Sequence, residues 1–256
     1  MTWFLTAFAA IATAQQPVPP INYSMPGEVT PAPVTIPATA EILPFQSAAV
    51  LSRPSPAARH FLLASAPAIP GRGVAFTIRC LLDRSNGRVI TCQDPTVPDT
   101  YKAAALGLGA LYQFQLTPAQ RTAQGPLAVA IQDRLAASDV RPPTRRFTFT
   151  QRAPGNITFV QSPTGEQSDA YYPRSAQNQG LEARIRLDCE VQPDLGIFCL
   201  NPVAGPTSVD PGRLLPDFQL AALQLSGWLR SAPTRTDGGM AAGTIFRTTI
   251  IFRLPE

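Results

Sequence analysis

The chain has 256 residues, 45% apolar and 15% charged, with 28 prolines and 17 glycines; that apolar fraction can bury a core, which excludes disorder throughout, and no apolar run reaches the ~18 to 20 residues of a membrane-spanning helix. The formal charge of +4 is modest, Lys102 is the one lysine, and no basic block alternates with aromatics, so nothing points to a nucleic-acid partner. His60 is the one histidine, which excludes mechanisms and metal sites that need two.

Residues Trp3 to Ala14 form a short apolar run that ends in Ala12-Thr13-Ala14, the small-x-small pattern read by signal peptidase. The reading is a secretory signal over residues 1–14 and a periplasmic destination. If the segment is retained, or the start is misassigned, the protein is anchored to the inner membrane instead. Residues 15–56 are punctuated by prolines from Pro17 to Pro56, which fix φ and remove backbone donors. They read as a Pro-rich linker, part coil and part polyproline II.

A pattern then occurs twice. In the first stretch, Val74, Phe76, Ile78 and Cys80 alternate with Ala75, Thr77, Arg79 and Leu81, the period of a strand. Ser85-Asn86-Gly87 supplies a turn and Arg88 to Cys92 a return strand. A helix is expected over Tyr101 to Gln113 and a last strand over Leu127 to Ile131. In the second stretch, Ala183, Ile185, Leu187 and Cys189 share one strand face, and Arg184, Arg186, Asp188 and Glu190 the other. Pro193 to Gly196 turns the chain and Ile197 to Leu200 returns. A helix over Leu215 to Arg230 places Phe218, Ala221, Ala222, Leu225 and Leu229 on one side. A long strand, Thr244 to Leu254, closes the pattern.

Four cysteines, Cys80, Cys92, Cys189 and Cys199, fit an oxidising compartment. Cys80 and Cys92 are symmetric about Asn86, so a three-residue loop with Gly87 left-handed would oppose them at disulfide distance. The local pattern favours Cys80–Cys92 and Cys189–Cys199 as structural staples, each adding roughly 2 to 3 kcal/mol on the chain-entropy model. A four-thiolate zinc site is the rival reading, disfavoured because the gaps are too long for knuckles.

Tyr172-Pro173-Arg174-Ser175-Ala176 and then Gly180 have the form Y-P-x-x-A-x-x-x-G, and the hairpin with Gly196 follows. Phe218, Ala221 and Ala222, then Trp228, Pro233, Gly238 and a final apolar strand complete an ordered set. In these residues the chain from about Tyr171 to Leu254 resembles the TonB C-terminal domain. Ala183 stands where that family usually has a second glycine, and Arg230 where an aromatic often follows the tryptophan. The first stretch is a more distant likeness: Tyr112-Gln113-Phe114 and Pro118-Ala119 are similar to a W-x-F-x-P-A run, without a Tyr-Pro opening.

The resemblance implies an α+β architecture of two TonB-C-like modules, a degenerate one over 57–150 and a clearer one over 171–256. Each would be a disulfide-stapled hairpin, a packed helix and a final strand in a small antiparallel sheet. It also implies binding of an outer-membrane TonB-dependent transporter, or another periplasmic protein, by strand addition to an edge. The candidate strand comprises Thr244, Ile245, Phe246, Arg247, Thr248, Thr249, Ile250, Ile251, Phe252 and Arg253, with Arg247 and Arg253 able to discourage self-pairing. The alternative is a soluble periplasmic adaptor or scaffold with no energy-transducing role.

No cofactor, metal or catalytic residue is expected, because no G-x-S-x-G, S-x-x-K, H-E-x-x-H or P-loop is present. His60 reads as a surface residue. Asp83, Asp94, Asp188 and Asp194 read as turn-associated, Trp228 as core, and Arg79, Arg88, Arg184 and Arg186 as a solvated basic strand face.

Overall fold

The structure, a computed structural model, describes residues 35–46, 48–64, 66–140, 156–206 and 211–254. The segment read as a signal, 1–14, and the linker up to residue 34 lie outside the described residues. The first half runs β1 (Glu41–Pro44), β2 (Ala49–Ser52), α1 (Pro56–Leu63), β3 (Val74–Leu82), β4 (Val89–Gln93), α2 (Asp99–Ala110), β5 (Gln113–Gln115), α3 (Pro118–Thr122), β6 (Leu127–Leu135) and α4 (Ala137–Val140). The second runs β7 (Phe159–Gln161), α5 (Gly165–Tyr171), α6 (Arg174–Asn178), β8 (Ala183–Val191), β9 (Ile197–Ala204), α7 (Leu215–Ser226), β10 (Arg230–Ser231) and β11 (Ile245–Phe252).

The fold is α+β. The main sheets have the orders β1-β6-β3-β4 and β11-β8-β9, and two small ribbons pair β2 with β5 and β7 with β10. The pairing of the first half therefore recurs in the second. Each hairpin's first strand is flanked by its return strand and by the half's long last strand, both antiparallel. Even the register recurs: Cys80 lies opposite Val129 and Val74 opposite Leu135, while Cys189 lies opposite Phe246 and Ala183 opposite Phe252.

Both cysteine pairs are disulfides between directly opposed strand residues, Cys80 with Cys92 and Cys189 with Cys199. The turns reverse the sequence expectation. In the first hairpin Ile90 is an extra residue, which shifts the register so that Asp83 pairs with Arg88 around the longer loop Arg84–Gly87. Gly87 has φ 71°, and a Cβ there would lie 1.8 Å from the Phe114 carbonyl oxygen, so no side chain fits. The three-residue loop occurs in the second hairpin, Pro193–Leu195, and there Leu195, not Gly196, takes the left-handed conformation.

Other expectations need correction. Residues 41–56, read as linker, hold two strands and the start of α1. Pro44 ends β1 and Pro56 sits in the first turn of α1 after the Ser55 cap, both positions where proline costs little. The first half thus begins before residue 57, and β7 and α5 extend the second before residue 171. The helix expected to reach Gln113 stops at Ala110, because Gln113 pairs with Ser52. The one expected to reach Arg230 stops at Ser226; Gly227 follows, and Arg230 pairs with Gln161. The strand after Gly125-Pro126 runs on to Leu135.

One continuous core joins the two halves. Tyr172, Phe218 and Phe252 meet edge-on or tilted at 5.2 to 5.8 Å between ring centres. Between the halves, α1 packs on α7 through a buried polar link. Ser55 N–H donates to Gln224 Oε1 at 2.7 Å, Ser55 Oγ–H to the Leu223 carbonyl at 2.9 Å, and Gln224 Nε2 to the Arg53 carbonyl at 2.8 Å. Gln224 is 1% exposed, so these partners replace the water it has lost. Across the other junction, Tyr171 donates to the Leu111 carbonyl, Arg88 to the Asp169 and Tyr172 carbonyls at the end of α5, and Arg174 pairs with Asp83 at 2.8 Å.

Candidate strand-docking edge

The candidate strand from the sequence, Thr244 to Arg253, is realised as β11, the outermost strand of its sheet among the described residues. Phe246 and Phe252 are buried inward, and Arg247, Thr249 and Ile251 face solvent. Val191 N–H donates to the Thr244 carbonyl at 3.0 Å. The alternation of an antiparallel ladder then turns the amides of Phe246, Thr248, Ile250 and Phe252 toward β8, and those of Ile245, Thr249 and Ile251 away from it. Among the described residues no strand pairs with that side, the geometry that accepts an added strand.

The equivalent strand of the first half, β6, is closed. β1 pairs with it in parallel, Glu41 to Pro44 against Leu127 to Ala130, and Glu41 N–H donates to the Pro126 carbonyl. The residues on either side of β1 form a strap. Ile36 N–H donates to Gln93 Oε1 at 3.1 Å, and Gln93 lies opposite Arg79 on the sheet's outer face. Beyond β1, Gln46 Nε2 donates to Gln132 at 2.9 Å. Ala40, Leu81 and Ala128 are buried here, apart from the main core. Arg84 fastens the strap: Nε donates to the Gly125 carbonyl, one NH to the Gln120 carbonyl and the other to Glu41 at 3.1 Å.

The second sheet has no such added strand among the described residues. Arg184 and Arg186 are exposed on β8, opposite Ile251 and Thr249 of β11. Asp188 lies mid-strand rather than in a turn and pairs with Arg247 at 2.8 Å. The four arginines read as one basic face do not share one. Arg79 is half-buried, with an Nε that has no hydrogen-bond partner among the described residues, and Arg88 points into the junction with α5.

The remaining residues of the ordered set are structural. Tyr172 Oη–H donates to the Leu181 carbonyl, and Pro173 leads into α6, where Ala176 is fully buried. Gly180 follows with φ 68°. Gly196 bridges to Arg230, Phe218, Ala221 and Ala222 line the core side of α7, and Pro233 accepts a bond from Ala241 N–H. Trp228 is half-buried and lines a cleft of about 440 Å³ with Val50 to Pro56; Leu229 is the core residue there.

One polar cluster and one buried carboxyl were not foreseen. Arg59 bonds Asp133 at 2.7 Å and Asp139 at 3.1 Å, and Tyr112 donates to the same Asp133 oxygen at 2.8 Å. Burial and the Asp133 charge push the Tyr112 hydroxyl pKa well above its usual range. This cluster braces α1 against β6 and α4. His60, far from a plain surface residue, is half-buried, with Nδ1 3.1 Å from the Asp139 carbonyl and its ring edge-on to Phe198. Asp217, in the first turn of α7, lines a crevice of about 220 Å³ at the junction of the halves, and burial lifts its carboxyl pKa to about 6. Among the described residues no His, Cys, Asp and Glu group could hold a metal, and no helix is long and apolar enough to cross a membrane. No protein-family model and no curated protein matches the chain.

Proposed function

We propose that the chain is an exported TonB-like protein of two related modules, which binds an outer-membrane transport partner by strand addition to β11. The observation that carries this is the contrast between equivalent edges: β6 is filled by the chain's own β1, and among the described residues no strand lies outside β11. The molecule thereby displays on one half the interaction attributed to the other. Main-chain hydrogen bonds supply the affinity and alternate side chains the selectivity. With β1 as the template, the incoming segment runs parallel to β11, and one chain takes one partner.

The test places a photo-cross-linker at Thr249 in living cells and identifies the adduct. The expected adduct is an outer-membrane transport protein, joined through a periplasmic segment. Thr249→Pro removes an outward amide, which an edge tolerates, and should abolish the adduct with the fold intact by circular dichroism; Thr249→Ala should retain it. No outer-membrane adduct, together with unaltered uptake in a deletion strain, overturns the proposal.

A further inference from the structure

The crevice at the junction of the halves holds a charge that its own residues leave unmatched. Asp217, Leu220 and Ala221 line it from one side of α7, as residues three and four apart on a helix do. Ile90, the extra residue of the first hairpin and 40% exposed, lines it from β4. The other titratable groups of the lining are engaged elsewhere. Arg88 donates to the Asp169 and Tyr172 carbonyls, and Arg174 pairs with Asp83. The hydroxyls of Tyr112, Tyr171 and Tyr172 donate to Asp133, the Leu111 carbonyl and the Leu181 carbonyl. Arg213, one turn before Asp217, is exposed and outside the lining. Asp217 alone has no hydrogen bond or ion pair among the described residues. Burial is the sole cause of its raised pKa, so the charge of neither arginine reaches it. The repeat does not require a carboxylate here. Tyr101, Ala104 and Ala105 of α2 stand where α7 has Phe218, Ala221 and Ala222, which sets Asp217 against Thr100, an exposed and uncharged residue.

We propose that this crevice binds a small organic cation, a basic nitrogen on a short apolar stem, with the nitrogen on the Asp217 carboxylate and the stem against Leu220 and Ile90. At about 220 Å³ it falls below the ~300 Å³ of ordinary ligand pockets, so it admits a group of a few heavy atoms rather than a large cofactor. A free alkylamine and a lysine side chain on a peptide share this chemistry. In a partly desolvated site an unpaired carboxylate is costly, and pairing it gains more than at the surface. The cation binds the ionised carboxyl, whose pKa burial holds at about 6, so binding strengthens as pH rises through 6. The arginines and tyrosines of the lining keep their charge over this range, and His60 lies against Asp139 and Phe198 instead. The site is independent of strand addition at β11.

The probe is n-pentylamine, titrated onto the intact protein and followed by amide chemical shifts. Saturable shifts are expected at Asp217, Leu220 and Ile90, with an affinity roughly tenfold higher at pH 7.5 than at pH 5. n-Pentanol, the same stem without the charge, should bind about tenfold more weakly at pH 7.5. Asp217→Asn keeps the shape of the side chain and should lose about tenfold in affinity for pentylamine at pH 7.5, together with the pH dependence. A capped glycyl-lysyl-glycine distinguishes the sources: saturable shifts at the same residues assign the cation to a peptide side chain, and its exclusion while pentylamine binds assigns the cation to a free amine. Absence of saturable shifts at Asp217, equal binding of pentanol, or unchanged binding to the Asp217→Asn protein would overturn the proposal.

Discussion

The two halves share a topology and a register but treat their outer strands in opposite ways. On the first, residues 35–46 add a parallel strand to β6 and bury Leu81 and Ala128 under a strap. On the second, no strand pairs with the outer side of β11 among the described residues, and the face beside it carries Arg184 and Arg186. Under the proposed function this contrast is one of use, with the covered edge of the first half showing how the edge of the second would take a partner.

The largest effect that would sharpen this comparison lies at the hairpin tips. Gly87→Ala forces a Cβ onto the Phe114 carbonyl at a left-handed φ and should cost about 3 kcal/mol or more. Its apparent counterpart, Gly196→Ala, meets only the Asp194 and Arg230 side chains at 3.0 and 3.1 Å, which can swing aside, and should cost about 1 kcal/mol or less. Urea unfolding of the two variants compares them directly; equal losses would mean that the two tips are built alike. The spacing of cysteine and glycine in the sequence made these residues look equivalent. It could not show that Leu195 takes the left-handed position, because that depends on where the ladder closes.

The link between halves comes next. Gln224→Ala leaves the Ser55 amide and the Arg53 carbonyl without their buried partner and should cost about 2 to 4 kcal/mol. In a cycle with Ser55→Ala the two changes should couple by at least about 0.5 kcal/mol. Additive losses would show that the Gln224 and Ser55 side chains act independently at this junction.

Asp217 gives a smaller effect with a definite sign. Its folded pKa, about 6, lies above the ordinary value of 3.8 because burial disfavours the carboxylate. The folded state therefore holds the proton more tightly than the unfolded chain. Its contribution is fully present below about pH 4 and is lost as pH rises through 6. Asp217→Asn should stabilise the protein by about 1 to 3 kcal/mol at pH 7 and by almost nothing at pH 4. A variant with the same advantage at both pH values would contradict the burial argument. The smallest effect is Arg84→Ala, which removes the link between Glu41 of the strap and the Gly125 and Gln120 carbonyls. It should cost about 1 kcal/mol and speed amide exchange in β6 while leaving β11 unchanged.

Strand alternation, the paired cysteines and the last strand were legible because each is a local pattern of period two. Both disulfides followed from them, whereas the α+β class was implied by the family resemblance. The strap was not. Its residues are proline-rich and nearly without core side chains, and β1 is held by main-chain bonds that composition does not encode. For the same reason the sequence marked β11 as a candidate edge without showing that its counterpart is closed. Trp228 was misplaced because a helical period was extended past Ser226, where pairing of Arg230 with Gln161 takes over.

The most direct test is residue-resolved amide hydrogen exchange on the intact protein. The outward amides of Ile245, Thr249 and Ile251 should exchange rapidly while those of Phe246, Thr248, Ile250 and Phe252 stay protected. Ala128 and Ala130, their counterparts under β1, should be protected like the inward set. Equal protection of the outward amides of β11 and β6 would contradict the open edge on which the account depends.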